Sequence, residues 1–359
     1  MQIAMAVLMA VAAVPRVTPA APGQSVVAAA RPRVEVAFVL DTTGSMGGLI
    51  EGAKRRIWSI ARRIGDGQPR PDLRIALVAY RDIGDAYVTQ VHPFSSDMDA
   101  VYQSLASFRA EGGGDGPEHV SAALHDAVEK LPWSRGALKV IFLVGDAPPH
   151  VDYQDGFDYR RHAADATRRG IVVDTIQCGG DTQTAAVWQE IAAAGLGHYA
   201  QIDGQGGMNA QVTPYDDELA RLGTELSGTV VLSGDAPQRA AGAKTMEARQ
   251  AMPAAVAVEA AGYLARADRL AAQDLVDRPV AEQRAELKHN RAPALAGKSE
   301  AEALGQLAAQ KERRVQLKSR IETLQKKREA ALAAGEKDAF DTEVVTQLKE
   351  EGAKVGIKY

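Results

Sequence analysis

Cysteine is almost missing from this chain: Cys178 stands alone among 359 residues. An intrachain disulfide and a cysteine-based zinc cluster are therefore excluded. Aromatic residues are scarce, at 5%, although 46% of the chain is hydrophobic. Any core must be built from Val, Ile, Leu and Ala. Basic excess is lacking too: 42 Lys and Arg face 46 Asp and Glu, a formal charge of −4, which argues against a broad nucleic-acid surface. There is no Gly-x-x-x-x-Gly-Lys-Ser/Thr loop, so nucleotide hydrolysis by that route is out. No apolar run reaches the roughly 20 residues that a membrane span needs.

Residues 3–14 form the longest small-and-apolar run, followed by a Pro- and Ala-rich stretch over 15–32. We read residues 1–32 as an export signal and small-residue leader, although the usual basic flank is missing. The expected location is periplasmic or extracellular, with no integral membrane span once the leader is removed.

From residue 33 the pattern alternates between buried-strand runs and helical periodicities. Residues 34–40, 73–80, 138–144 and 171–176 read as strands, with shorter ones at 87–91, ended by Pro93, and at 198–202. Ile50, Ala53, Ile57, Ile60 and Ile64 recur at helical spacing, which leaves Arg55, Arg56, Arg62 and Arg63 as a solvated face. Residues 98–108, 159–168 and 185–194 read as further helices. Val120, Leu124, Val128 and Leu131 mark another, and Leu219, Leu222 and Leu226 a closing one. This repetition predicts an α/β fold with a doubly wound, mostly parallel, Rossmann-like sheet over residues 33–228. Residues 229–359 are expected to form a helical, Ala- and charge-rich extension. In it, 229–232 reads as one more strand and 234–243 as a turn-rich linker, and Pro253, Pro279 and Pro293 divide the rest. Leu304, Leu307, Leu317, Ile321 and Leu324 sit near heptad spacing in the longest piece, interrupted by Lys311 and Arg314. That leaves open a coiled coil that self-associates, or a hairpin with residues 341–354.

Open parallel sheets bind ligands beyond the carboxyl ends of their strands. Three loops placed there carry oxygen ligands suited to hard cations. Asp41-x-Thr43-x-Ser45 follows the first strand. Gly112-Gly113-Gly114-Asp115-Gly116-Pro117-Glu118 precedes a helix. Gly145-Asp146-Ala147-Pro148-Pro149-His150 follows the strand at 138–144. Together these residues resemble a von Willebrand factor type A domain with its metal-ion-dependent adhesion site. The second loop resembles the subgroup with a Gly-Gly-Asp-x-Pro-Glu loop. The resemblance implies that Asp41, Thr43, Ser45, Asp115 and Asp146 hold Mg2+, or Mn2+ or Ca2+, some of them through water. It also implies a module that binds a protein partner through an acidic side chain or other oxygen ligand, and not an enzyme. Three carboxylates around a divalent ion carry one net negative charge, which favours a resident ion and disfavours an acidic partner group.

Plainer readings stand beside these. Asp41, Thr43 and Ser45 also suit a helix-capping turn. Asp115 and Asp82 suit turns, and His150 a loop near the site. Glu118 is expected in the first turn of a helix rather than as a ligand, and Cys178 in a buried strand. An α/β-type serine hydrolase built on Ser45, Asp146 and His198 is the alternative from another class. It is weakened by Thr43 where the nucleophile elbow wants glycine. A third reading makes the domain a scaffold and the helical tail the working part.

Overall fold

The computed structural model describes residues 31–204, 212–289, 292–332 and 339–359. The expected leader falls almost wholly on residues 1–30, outside the described residues. Residues 31–359 form one compact unit.

In chain order the elements are β1 (Arg33–Asp41), α1 (Gly47–Gly65), β2 (Asp72–Tyr80), β3 (Thr89–Ser95), α2 (Met98–Ser107), α3 (Val120–Glu129), β4 (Leu138–Gly145), α4 (Tyr159–Arg168), β5 (Val172–Cys178), α5 (Thr182–Ala194) and β6 (Leu196–Ile202). Helices follow from there: α6 (Asp216–Ser227), α7 (Ala236–Gln250), α8 (Ala254–Arg266), α9 (Val280–His289), α10 (Glu300–Leu332) and α11 (Ala339–Lys354).

The six strands lie in the order β3-β2-β1-β4-β5-β6, all parallel except β3. The expected α/β fold is therefore present. β1 is buried from Val34 to Asp41 because both faces of the sheet are covered. Val34, Val36, Phe38 and Leu40 face one core with α1, α2 and α11. Ala37 and Val39 face the other, with α3, α4 and α5. Chain order reverses between β1 and β4, so the switch point of the sheet lies there.

The short third strand does not stop at Pro93; β3 runs through it to Ser95. β3 is an edge strand, and its ladder with β2 shifts register between Ile75 and Leu77, opposite this stretch. An edge with a local irregularity tolerates a residue that lacks an N–H.

The helical tail wraps back onto the sheet. Phe340, Val344, Leu348 and Ile357 join the core beneath α1, and Phe340 approaches Phe38 with ring centroids 6.4 Å apart. Residues 234–243 are not a linker. Asp235 caps α7, accepting from the backbone N–H of Gln238, whose side chain returns the bond. Residues 229–232 form no strand: Leu232 makes only an isolated bridge to Asp274. The apolar seam of α10 is spent inside the chain. Leu317, Ile321 and Leu324 pack with α6 and α8, and Leu307 packs with Leu287 and Leu295. α11 packs against α1, β4 and β6 instead of forming a hairpin with α10.

The arginines of α1 are not a solvated face either. Arg56 pairs with Glu259 of α8, and buried Arg62 pairs with Glu329 of α10. The tail covers the surface they stand on. Among the described residues, no helix is long and apolar enough to cross a membrane.

Candidate metal centre

Asp41 is the last residue of β1, and Asp146 follows the last residue of β4. Register pairs Leu40 with Val144, so both acids emerge at the switch point side by side. Met46, fully buried, anchors the loop between β1 and α1 in the core.

Backbone hydrogen bonds stitch the three loops together. Gly44 N–H donates to Gly112 O at 3.2 Å, and Glu111 N–H to Thr42 O at 3.1 Å. Glu118 N–H donates to Pro148 O at 2.9 Å, and His150 N–H to Glu118 O at 3.1 Å. The close approach requires glycine at two points. Gly112 has φ +83°, and a side chain there would collide with the Asp85 carboxylate. Gly113 has φ +81°, and a side chain there would press on Thr43 and Glu118.

Thr43, Ser45, Asp115, Glu118 and Asp146 line one cleft of about 460 Å³ between these loops. Asp41 lies beneath it, fully buried. Its Oδ1 accepts from the Thr43 backbone N–H at 2.8 Å and from Thr43 Oγ1 at 2.7 Å, and Thr43 Oγ1 lies 3.4 Å from Ser45 Oγ. Neither Thr43 nor Met46, at the caps of the helical turn and of α1, makes a side-chain cap bond. The turn bond among these residues, Thr43 N–H to Asp41 Oδ1, lies ahead of the helical turn rather than at its cap.

The electrostatics follow from crowding. Burial, opposed by the Thr43 hydrogen bonds and reinforced by Asp146, pushes the Asp41 carboxyl up to about 7. Burial and the charges of Asp41, Asp82, Asp85 and Asp146 push Glu118 up to about 9. Asp41 Oδ2 and Glu118 Oε2 are buried without a hydrogen-bond partner. A buried carboxylate oxygen of this kind is costly unless a proton, water or cation satisfies it. The donor set, carboxylate plus hydroxyl oxygens, fits a hard divalent cation.

Glu118, expected in the first turn of a helix, lies ahead of that helix and lines the cleft. It precedes α3, whose N-cap is His119, and forms an isolated bridge with Pro149. Pro117 before it imitates a helix start, which hides the difference in the sequence. Asp82 opens a turn, as expected, its carbonyl accepting from the Asp85 N–H at 3.3 Å, and His150 lies in a loop, as expected. Asp82 is buried and accepts from Tyr153 Oη at 2.6 Å; the His150 side chain is 9% exposed. Both leave strand ends at the same sheet edge as Asp41. Cys178 is a buried residue of β5, as expected. The hydrolase arrangement is not favoured. The His198 side chain faces Asp174 and Glu350, at 3.4 and 3.6 Å, and His198 does not line the Ser45 cleft.

Residues 35–194 match the family model of the von Willebrand factor A domain. The matched region includes all five predicted ligands and Glu118. Over 121 residues the chain is 39% identical to von Willebrand factor A domain-containing protein 7 of Rattus norvegicus, which covers 33% of this chain and 12% of that protein. It is 28% identical over 118 residues to the alpha-protein kinase vwkA of Dictyostelium discoideum, covering 33% and 19%. The chain thus spans less than a fifth of the length of these relatives. Among solved structures, the proximal thread matrix protein 1 of the mussel byssus, with a zinc-occupied MIDAS motif, aligns with a TM-score of 0.37 at 14% identity. That alignment covers 48% of this chain and 42% of the mussel protein.

Proposed function

We propose that the A-domain region is a divalent-metal-dependent protein-binding module. Asp41, Thr43, Ser45 and Asp146 would hold Mg2+, Mn2+ or Ca2+ at the switch point of the sheet, with Asp115 at the rim and Glu118 beneath. The observation that carries this reading is the pair of buried, unpartnered carboxylate oxygens, Asp41 Oδ2 and Glu118 Oε2, under a cleft lined by hydroxyls and further carboxylates. Such a floor satisfies a cation and leaves open coordination toward solvent for an oxygen of a partner. The Thr43 hydroxyl, 3.4 Å from Ser45 Oγ, supports a ligand role for Ser45 over a nucleophilic one. The acidic surroundings favour a firmly held ion over strong attraction of an acidic partner group. We further propose an exported location, on the composition of the first 32 residues.

The test is calorimetric titration of chelator-stripped full chain with MgCl2, MnCl2 and CaCl2, followed by a glutamate-containing peptide with and without the ion. The reading expects saturable ion uptake that Asp41→Ala removes, and peptide binding only with ion present. Ion uptake unchanged by Asp41→Ala would refute it.

A further inference from the structure

Beside the cleft stands a second group of ligand atoms, which shares Asp115 with the first site and adds Asp82 and His150. Asp82, Asp115 and His150 each offer a donor atom, all within 4.8 Å of one another. We infer that these three side chains form a second cation site, selective for a zinc-class ion over Mg2+.

His150 Nε2 lies 3.5 Å from Asp82 Oδ2 and 3.5 Å from Asp115 Oδ2. That spacing exceeds the usual 2.7–3.2 Å of an N–H···O hydrogen bond, and His150 Nε2 and Asp82 Oδ1 are both buried without a hydrogen-bond partner. Two ligands at about 2.1 Å from a tetrahedral Zn2+ sit about 3.4 Å apart. The gap between these atoms is therefore the one an ion would span.

The surrounding shell orients the donors. His150 Nδ1 is hydrogen-bonded to Asp152 Oδ1 at 2.8 Å. With the proton on Nδ1, Nε2 presents its lone pair to Asp82 and Asp115. Carboxylate–histidine pairing of this kind fixes the tautomer of a metal ligand. The Tyr153 ring stacks on His150, with centroids 4.2 Å apart, while its hydroxyl donates to Asp82 Oδ2. One residue thus positions two donors.

Imidazole plus two carboxylates, with room for water, suits Zn2+, whereas Mg2+ prefers oxygen alone. Asp115 is 61% exposed and lines the first cleft as well, so it stands between the two sites. The inference does not depend on the first site holding an ion.

The experiment is equilibrium dialysis of chelator-stripped full chain against Zn2+, with bound metal measured by mass spectrometry. Wild type is compared with Asp41→Ala, His150→Gln, Asp115→Asn and Asp152→Ala. Asp115 and Asp152 are exposed, so those two variants keep the fold even if His150→Gln does not; circular dichroism checks each. We expect a zinc ion that survives Asp41→Ala, is lost in Asp115→Asn and His150→Gln, and binds on the order of 10–100-fold more weakly in Asp152→Ala. Zinc should also move the His150 Nε2 nitrogen resonance. Uptake unaffected by Asp115→Asn and His150→Gln, or lost only in Asp41→Ala, would overturn the assignment. So would the absence of zinc binding with His150 titrating as an imidazolium among Asp82, Asp115 and Asp152. Failure of the first site shows separately, as Mg2+ binding indifferent to Asp41→Ala.

Discussion

Leu40 and Val144 are register partners in the parallel β1–β4 ladder, and the residues that follow them, Asp41 and Gly145-Asp146, share the space at the sheet's edge. A side chain on Gly145 would begin 2.4 Å from Tyr80 Oη and 3.2 Å from Asp41 Oδ2. Gly145→Ala should therefore displace the Asp41 carboxylate or the buried Tyr80. Overpacking of this kind costs about 1–3 kcal/mol. Urea midpoints should fall accordingly and Mg2+ affinity should drop with them. A variant of wild-type stability and affinity would show that the two acids are less tightly placed than the register implies.

Protonation of the site sets a pH dependence. Glu118, at about 9, and Asp41, at about 7, hold protons in the fold that the unfolded chain releases near the ordinary carboxylate range. The folded chain binds more protons between those limits, so its stability falls as pH rises through that window. Without metal, urea midpoints should decline between about pH 5 and about pH 9, less steeply in Glu118→Gln. With Mg2+ the slope should flatten, because metal binding releases those protons. Equal slopes in wild type and Glu118→Gln would contradict the account.

The tail is held by a buried guanidinium. Arg314 Nη1 donates to Asp274 at 2.7 Å and to Asp277, and Nε donates to Thr229 Oγ1 at 2.9 Å. Arg314→Ala leaves the fully buried Asp274 without its cation, holding only the backbone N–H donors of Val231 and Val276, at a cost of about 3–5 kcal/mol. The double variant with Asp274→Asn should recover part of that loss in a mutant cycle measured by denaturant unfolding. Additive losses would mean that the pair does not act as a unit.

The same packing predicts that the tail is not detachable without cost. Phe340 is 1% exposed and lies in the core that contains Phe38 and Phe142. Phe340→Ala should cost about 3–5 kcal/mol, and removal of residues 339–359 should lower the unfolding temperature of the sheet itself. A truncated chain that unfolds at the wild-type temperature would restore the view of a separate extension.

Most of the sheet was legible because both-face burial writes strands as continuous apolar runs, as in residues 138–144. The loops that carry Asp41 and Asp146 were legible because each follows such a run directly. Other features hid for physical reasons. Alanine and glycine around residues 234–243 masked α7, although Asp235 and Gln238 form a capping box that could have revealed it. Glu118 was hidden by Pro117, which reads as a helix start. Glu259 and Glu329, which pair with Arg56 and Arg62, and Asp82 and Asp115, which face His150, lie in other loops and helices, and contacts between distant segments leave no periodic trace. Arg56 and Arg62 therefore read as solvated when Glu259 and Glu329 cover them.

The most direct measurement is thermal unfolding of chelator-stripped full chain, wild type against Asp41→Ala, in chelator and in Mg2+, Mn2+ and Ca2+. An ion that binds only the folded state adds about 2.7 kcal/mol at a concentration 100-fold above its Kd. The account predicts that wild type melts higher with ion than in chelator, while Asp41→Ala melts at the same temperature in both. Curves for wild type that coincide with and without every ion would contradict it.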